Sequence, residues 1–511
     1  MKTSATTIAF AIVFAFLVMS GSWGGSSTVM QPRSVQASAD AISLLDDDLA
    51  KLCGCVKAFG PDAPVVNPTV LPADVSLEDN TKCKGSKDCP DPINGCCQPC
   101  FDCLGWQLFV ALNWPAKSAG EPDPAKPFGE PGEYSDLVWQ TYKSAFDVFG
   151  DTQPTPWGAN GAHQLQLNSA VIKDTFLKYD LQSDHNWLTD KDGNVVRYEI
   201  RVNKDEFQYI LDRDLWHQEG LWTFLKSGKG IDLPFGATEV KAAWRIIPDG
   251  QRAYFEQNYK VAHAKVYQPA TKSWKDQDVA LVGLHIIKKT PKSPQWVWAT
   301  FEHKDNAPVQ GDSGEGRQWN FFNPELFKRD PNYKPNYAAP PFRIPTNKPV
   351  QVFRLKQDSD DAATTGINAA MHRLIAAQFP RSVWRNYDLI SVQWPSKPVK
   401  PDHTTQKILP SGQPRPRVLA NTAMETYQQL LNSGGAAGLT PRINDPDPEI
   451  DFPPGDLGKS SCIACHRISA VTPKFVNHPE EKKGWWTDYS TLFFKAGVKK
   501  PVTKSTKRSN Q

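Results

Sequence analysis

The stretch Ala237-Thr238-Glu239-Val240-Lys241-Ala242-Ala243-Trp244-Arg245-Ile246-Ile247 decides how this chain reads as a fold. Val240, Ala242, Trp244 and Ile246 fall on one side, and Glu239, Lys241, Ala243 and Arg245 on the other. A period of two is that of a β-strand, whose successive side chains point to opposite faces. Residues 194–202 alternate in the same way, and 258–268, 279–288 and 295–303 follow at short intervals. Strands so closely spaced predict an antiparallel sheet, with helices near 204–226 inserted between them.

Outward from this centre the periodicity changes. Leu104, Leu108, Ala111 and Leu112 recur at helical spacing before Pro115. Trp139, Tyr142, Phe146 and Phe149 predict a second helix from about 135. A Pro-, Asn- and Gly-rich loop covers 305–349, a helix is expected at 362–379, and a strand at 383–394. After a Pro-rich stretch, 395–417, comes a helix at 421–431, where Thr422 and Glu425 fit a capping box. The expected class is α+β: an antiparallel-sheet-rich body with inserted helices and long Pro-rich loops, ending in a helical segment. The expected divisions are 1–39, 40–103, 104–417, 418–498 and a basic tail, 499–511.

The chain has 511 residues, 40% of them hydrophobic, with 17 Trp and 25 Phe, enough for a large packed core. Its formal charge of +3 argues neither for nucleic acid nor for a strongly acidic partner, and no nucleic-acid partner is expected. Residues 8–19 form an apolar run of the length of a secretory signal, and Ala37-Ser38-Ala39 is a cleavage candidate. Export to the periplasm or beyond is therefore expected, with an N-terminal anchor if the signal is retained. No later segment reaches transmembrane length.

Ser461-Cys462-Ile463-Ala464-Cys465-His466 carries the most specific chemistry in the chain. Two cysteines separated by two residues and followed by histidine are the attachment signature of haem c. Each thiol adds across one porphyrin vinyl group, and the histidine becomes the proximal iron ligand. The expected cofactor is thus one covalent haem c, held by Cys462 and Cys465 with His466 on the iron. A zinc or thioredoxin-like CxxC is the competing reading, and export weighs against it. The other eight cysteines, Cys53, Cys55, Cys83, Cys89, Cys96, Cys97, Cys100 and Cys103, read first as disulfides and second as a zinc or iron–sulfur site.

No methionine follows His466, so the usual downstream ligand of a small cytochrome is missing. Met424, His303 and His285 are the candidates for the distal position. Met424 would share a helical face with Tyr427, Gln428 and Leu431. If extended, His285 shares a face with Leu281, Gly283 and Ile287, and His303 with Val297, Ala299 and Phe301. Each also reads as an ordinary core residue, and an open sixth site is a further alternative. Gly311-Asp312-Ser313-Gly314 and Val261-Ala262-His263-Ala264 match serine-protease strings only weakly.

Several strings resemble a family of large exported bacterial proteins known as the cytochrome c family. They are 106–115 (WQLFVALNWP), 241–245 (KAAWR), 283–286 (GLHI), 296–303 (WVWATFEH) and 420–427 (ANTAMETY), together with 461–466. The resemblance implies a β-rich body with one C-terminal haem and no defined substrate. Only Cys462, Cys465 and His466 carry over, and nothing is implied for the eight-cysteine segment. The expected function is electron transfer with a redox partner protein. The alternatives are a haem peroxidase or oxidase with an open iron site, and a ligand-binding haem sensor.

Overall fold

The computed structural model describes residues 71–75 and 98–498, except 150–151, 160–164, 168–186, 269–270, 331–333, 338–348, 356–361, 396–397, 400–413, 417, 430–460, 468 and 482–483. All of these lie in the unit Ser38–Gln511. The N-terminal apolar run, the basic tail and six of the eight clustered cysteines fall outside the described residues.

The fold is α+β. Its principal elements are helix α1 (Gln98–Leu112), strand β1 (Arg197–Val202), helices α2 (Lys204–Asp212) and α3 (Gln218–Lys226), and strands β2 (Thr238–Ile246), β3 (Val261–Gln268), β4 (Ser273–Thr290) and β5 (Ser293–His303). Helix α4 (Ala362–Gln378), strand β6 (Tyr387–Pro395) and helix α5 (Cys462–His466) follow. In space the strands run β6-β5-β4-β2-β1, all antiparallel, with Pro414–Arg415 beside β6 and Lys143–Ser144 beside β1. β3 pairs with the first half of β4 and, in parallel, with Leu165–Leu167.

The alternation in β2 sorts the two faces of the sheet. Val240, Ala242, Trp244 and Ile246 join Leu284, Ile286, Val297, Ala299 and Phe301 in one core, with the buried residues of α1 and α4 over it. Each fully buried large apolar side chain there contributes roughly 1.5–3 kcal/mol. Gly105 lets α1 lie close to the sheet, because a Cβ there would sit 2.6 Å from Val392. Asp102, buried on α1, accepts hydrogen bonds from the Val392 amide (2.9 Å) and the Thr364 hydroxyl (2.6 Å). One carboxylate thereby ties α1 to both β6 and α4.

Four expectations need correction. The segment from 135 is not one helix: a 3-10 turn (Val138–Thr141), a two-residue strand (Lys143–Ser144) and a single helical turn (Ala145–Val148) replace it. Lys143 and Ser144 pair with Val202 and Arg201, so sheet pairing outweighs the helical spacing of the aromatics. Residues 421–429 form successive turns, not a regular helix. α1 begins at Gln98, before the expected boundary at 104. Finally, the β2–β4 register passes from Ala243↔Gly283 to Trp244↔Leu281, leaving Val282 as an extra residue. This bulge turns Leu281 into the α1 core, so it does not share a face with His285.

Candidate functional site

The opposite face of the sheet carries the CxxCH segment. Ile287 of β4, Trp298 of β5 and Gln393 of β6 stand abreast in register, and Thr300 and Lys241 flank His285 on its two neighbouring strands. Ile463, the second residue of α5, packs in one apolar cluster with Val202, Ile287, Trp298, Val471, Trp486, Leu492 and Phe493. Gln393 holds the start of α5. Its Nε2 donates to the Pro416 carbonyl (2.8 Å), so its Oε1 faces the helix and accepts from the Ile463 amide (2.9 Å) and the Ser461 hydroxyl (3.2 Å). A strand side chain thus satisfies an amide that a helix N-terminus leaves unpaired.

This docking buries Ile463 and leaves Cys462 half-buried, Cys465 exposed and His466 partly buried. Among the described residues, Cys462 and Cys465 are the free thiols. Burial pushes the Cys462 thiol up, and Glu425 and Cys465 add to the shift. The free thiol is therefore protonated at neutral pH.

His466 Nδ1 lies 2.8 Å from the carbonyl oxygen of Tyr489. A carbonyl can only accept, so the proton sits on Nδ1 and the lone pair on Nε2. Burial drives the imidazole pKa down to about 4 against the effect of the Tyr489 bond; Lys241 and His285 lower it further and Glu425 opposes them. The ring is neutral at pH 7, and Trp298 packs against it with centroids 4.5 Å apart. These residues fit a porphyrin iron: two protonated thiols one turn apart, and a neutral imidazole in the ligating tautomer.

The Tyr489 carbonyl is put in place by the chain after the motif. Ala470–Val471 pairs with Trp485–Trp486, and the Thr487 amide bonds to Ser469 O, folding 487–490 back beneath α5. Asp488 (φ 53°) and Tyr489 (φ 68°) both take left-handed backbone, which costs a residue with a side chain about 1–2 kcal/mol each. Buried contacts offset that cost. Asp488 Oδ2 accepts from Lys289 Nζ (2.6 Å) and the Leu233 amide (2.8 Å), and its carbonyl accepts from Trp296 Nε1 (3.1 Å).

Of the three distal candidates, His285 and Met424 lie on this face of the sheet and His303 does not. His285 Nε2 is buried, 3.4 Å from Glu425 Oε2 without hydrogen-bond geometry. Burial raises the Glu425 pKa, but His285, the Asn421 amide and Lys241 outweigh it and hold the carboxylate below its usual range. Met424 is fully buried with Ala423, Val282 and Tyr198 in a separate cluster, packed toward Gly283. His303 lies beneath the opposite face. Its Nε2 donates to Asn258 O (3.0 Å), its Nδ1 accepts from the Asp305 amide (3.1 Å), and Tyr259 stacks on it at 3.7 Å.

The weak protease strings do not build a site: Ser313 accepts a turn bond from the Glu315 amide, and His263 pairs with Asp278.

Sequence reasoning missed Gln393, Trp298, Tyr489 and Lys241 as parts of the site, and gave Glu425 only a capping role. Glu425 does reach back, but to the Asn421 amide (2.9 Å) and not to Thr422. The Thr422 amide and hydroxyl instead bond to Glu302. A carboxylate next to a methionine weighed as a ligand was the available signal for Glu425. A backbone carbonyl leaves none.

Among the described residues, no group of three or more His, Cys, Asp and Glu side chains is placed to hold a metal ion on its own, and no helix is long and apolar enough to cross a membrane. Comparison with protein-family models, curated proteins and solved structures finds no match to this chain.

Proposed function

We propose that this chain is an exported c-type cytochrome with one haem, attached at Cys462 and Cys465 and ligated by His466, that carries electrons to or from a periplasmic redox partner. The observation that carries this reading is the Tyr489 carbonyl 2.8 Å from His466 Nδ1. It selects the tautomer that ligates iron through Nε2 and strengthens the imidazole as a donor. Haem c, when bound, supplies one-electron Fe(III)/Fe(II) chemistry. The protein's own part is to fix the ligand and its surroundings. Trp298 limits rotation of the imidazole, and Ile463, Trp486, Leu492 and Phe493 exclude water from the side on which α5 docks. Gln393 sets the height of the helix above the sheet.

A second reading, a haem peroxidase or oxidase or a ligand sensor with an open sixth position, draws support from His285 and Glu425. They form a buried acid–base pair beside the thiols, and His303 lies beneath the opposite face. The eight cysteines at 53–103 fit disulfides in an exported chain. Cys100 and Cys103, buried in α1, are not among the free thiols.

The readings separate in the optical and EPR spectra of protein matured with the c-type attachment machinery. Low-spin iron indifferent to carbon monoxide supports the carrier, with His285 as the sixth ligand. High-spin iron that binds carbon monoxide overturns the simple carrier in favour of the second reading.

A further inference from the structure

Behind the proximal histidine lie two carboxyl groups that the electron-transfer reading does not use. Glu206 is the third residue of α2, whose cap is Asn203: the Asn203 side chain accepts from the Glu206 amide (3.2 Å). A glutamate there usually turns back to the cap amide. Here that amide bonds to Thr238 O instead, and the Glu206 side chain turns inward. It is fully buried, and neither carboxyl oxygen meets a donor within hydrogen-bond geometry. Glu239 of β2 meets it there, 5% exposed, with Oε1 likewise unmatched. Glu239 stands in register with Val202 and Ile287, both members of the apolar cluster that holds Ile463 and Tyr489.

Two ionised carboxylates cannot share such a volume: each loses hydration worth several kcal/mol, and each repels the other. One proton must be held between them at neutral pH. Burial raises the pKa of both. Glu239 and Asp488 push Glu206 further, with Lys289 opposing; for Glu239, bonds to Ser490 and Glu206 work against the burial, and Asp488 adds to it. The charged groups facing the pair are thus Asp488 from the 487–490 turn and Lys289 from β4, which is itself paired to Asp488 and Asp232. Ser490, the hydrogen-bond partner of Glu239, directly follows Tyr489, whose carbonyl holds His466. Only that short run of backbone lies between the carboxyl pair and the proximal ligand.

We propose that the Glu206–Glu239 pair is a proton-holding site coupled to the iron at His466, taking one proton from solvent when one electron arrives from the redox partner and releasing it on oxidation. The inference rests on the haem reading above. Added negative charge at the iron, felt through a poorly screening interior, favours the fully protonated pair. One electron and one proton enter together, and one of each leaves.

The test is the midpoint potential of the haem-loaded protein from about pH 5 to 9, with infrared difference spectra between the ferric and ferrous forms in H2O and D2O. The wild type is expected to lose potential as pH rises, by up to about 59 mV per tenfold change in proton concentration, the value for one proton per electron. Glu239→Gln and Glu206→Gln should flatten that slope, whereas a slope arising at His285 and Glu425 would survive both. The infrared spectrum should gain a deuterium-sensitive carboxylic-acid band on reduction, a result that needs no variant to fold. A haem-bearing wild type with a flat potential, or with no such band, overturns this proposal alone. Protein that takes up no haem overturns it together with the proposed function.

Discussion

His466 and His303 are both made neutral by burial, yet their nitrogens are used differently. His303 spends both on the protein, on Asn258 O and the Asp305 amide, and stacks on Tyr259. His466 spends Nδ1 on Tyr489 and keeps a lone pair on Nε2. His303→Ala should therefore cost about 2–4 kcal/mol in denaturant unfolding, through lost packing and two unpaired backbone groups, and leave the haem spectrum unchanged. His285→Ala should do the reverse, altering spin state or carbon monoxide binding with a smaller stability loss. The pH dependence has a definite sign. Burial lowers the folded His303 pKa to about 3 from 6.5, so the unfolded chain binds the extra proton first. Its contribution is present above about pH 6.5 and falls toward pH 3 by up to about 1.4 kcal/mol per unit. His303→Gln should make that acid limb shallower in urea titrations run at successive pH values. The residues proposed to attach haem were legible at this scale because covalent chemistry fixes residue type and spacing. Tyr489 was not, because its contribution is a backbone carbonyl, and His303 stood open between ligand and core residue because a satisfied histidine and a ligating one have the same letter.

At the scale of elements, α5 is only five residues long and cannot hold itself together. Its order comes from Gln393 at its start and Ile463 in the core. Gln393→Leu should cost about 1–3 kcal/mol by stripping the Ile463 amide of its buried acceptor. It should also lower the yield of covalent haem, read as haem absorbance per unit of protein. Gly283 sets the approach of the 421–425 turns to β4, since a Cβ there would lie 3.3 Å from Ala423 and Asn421 and 3.4 Å from Met424. Gly283→Ala should be tolerated with a loss of about 1 kcal/mol. Gly283→Leu must displace the turns, and Glu425 with them, so its unfolding midpoint should fall well below that of the alanine variant. Strands β2 and β5 and helix α1 could be read from periodicity, because one face of each is buried in a single core. The segment from 135 and the turns at 421–429 could not. Their aromatics are buried by the sheet edge and by neighbouring chain, so their spacing reflects tertiary surroundings and not a local helix.

Across the whole molecule, one twisted sheet serves two purposes. Its first face, under α1 and α4, supplies the stable core; its second supports the CxxCH helix and the turn that fixes its histidine. The C-terminal segment is therefore packed as part of this larger body. Ile463, Val471, Trp486, Leu492 and Phe493 bury themselves against Val202, Ile287 and Trp298, which lie more than 160 residues upstream. A fragment of residues 418–511 should accordingly show no cooperative thermal transition by circular dichroism, whereas the full chain should. The account's central claim is that Cys462, Cys465 and His466 hold a covalent haem. Intact mass spectrometry of the denatured protein, matured by the c-type attachment machinery, tests it most directly. The expected result is a mass higher than that of the polypeptide by one haem, lost in the Cys462→Ala, Cys465→Ala double variant. A mass equal to the bare polypeptide, with both thiols free to alkylate, contradicts the account.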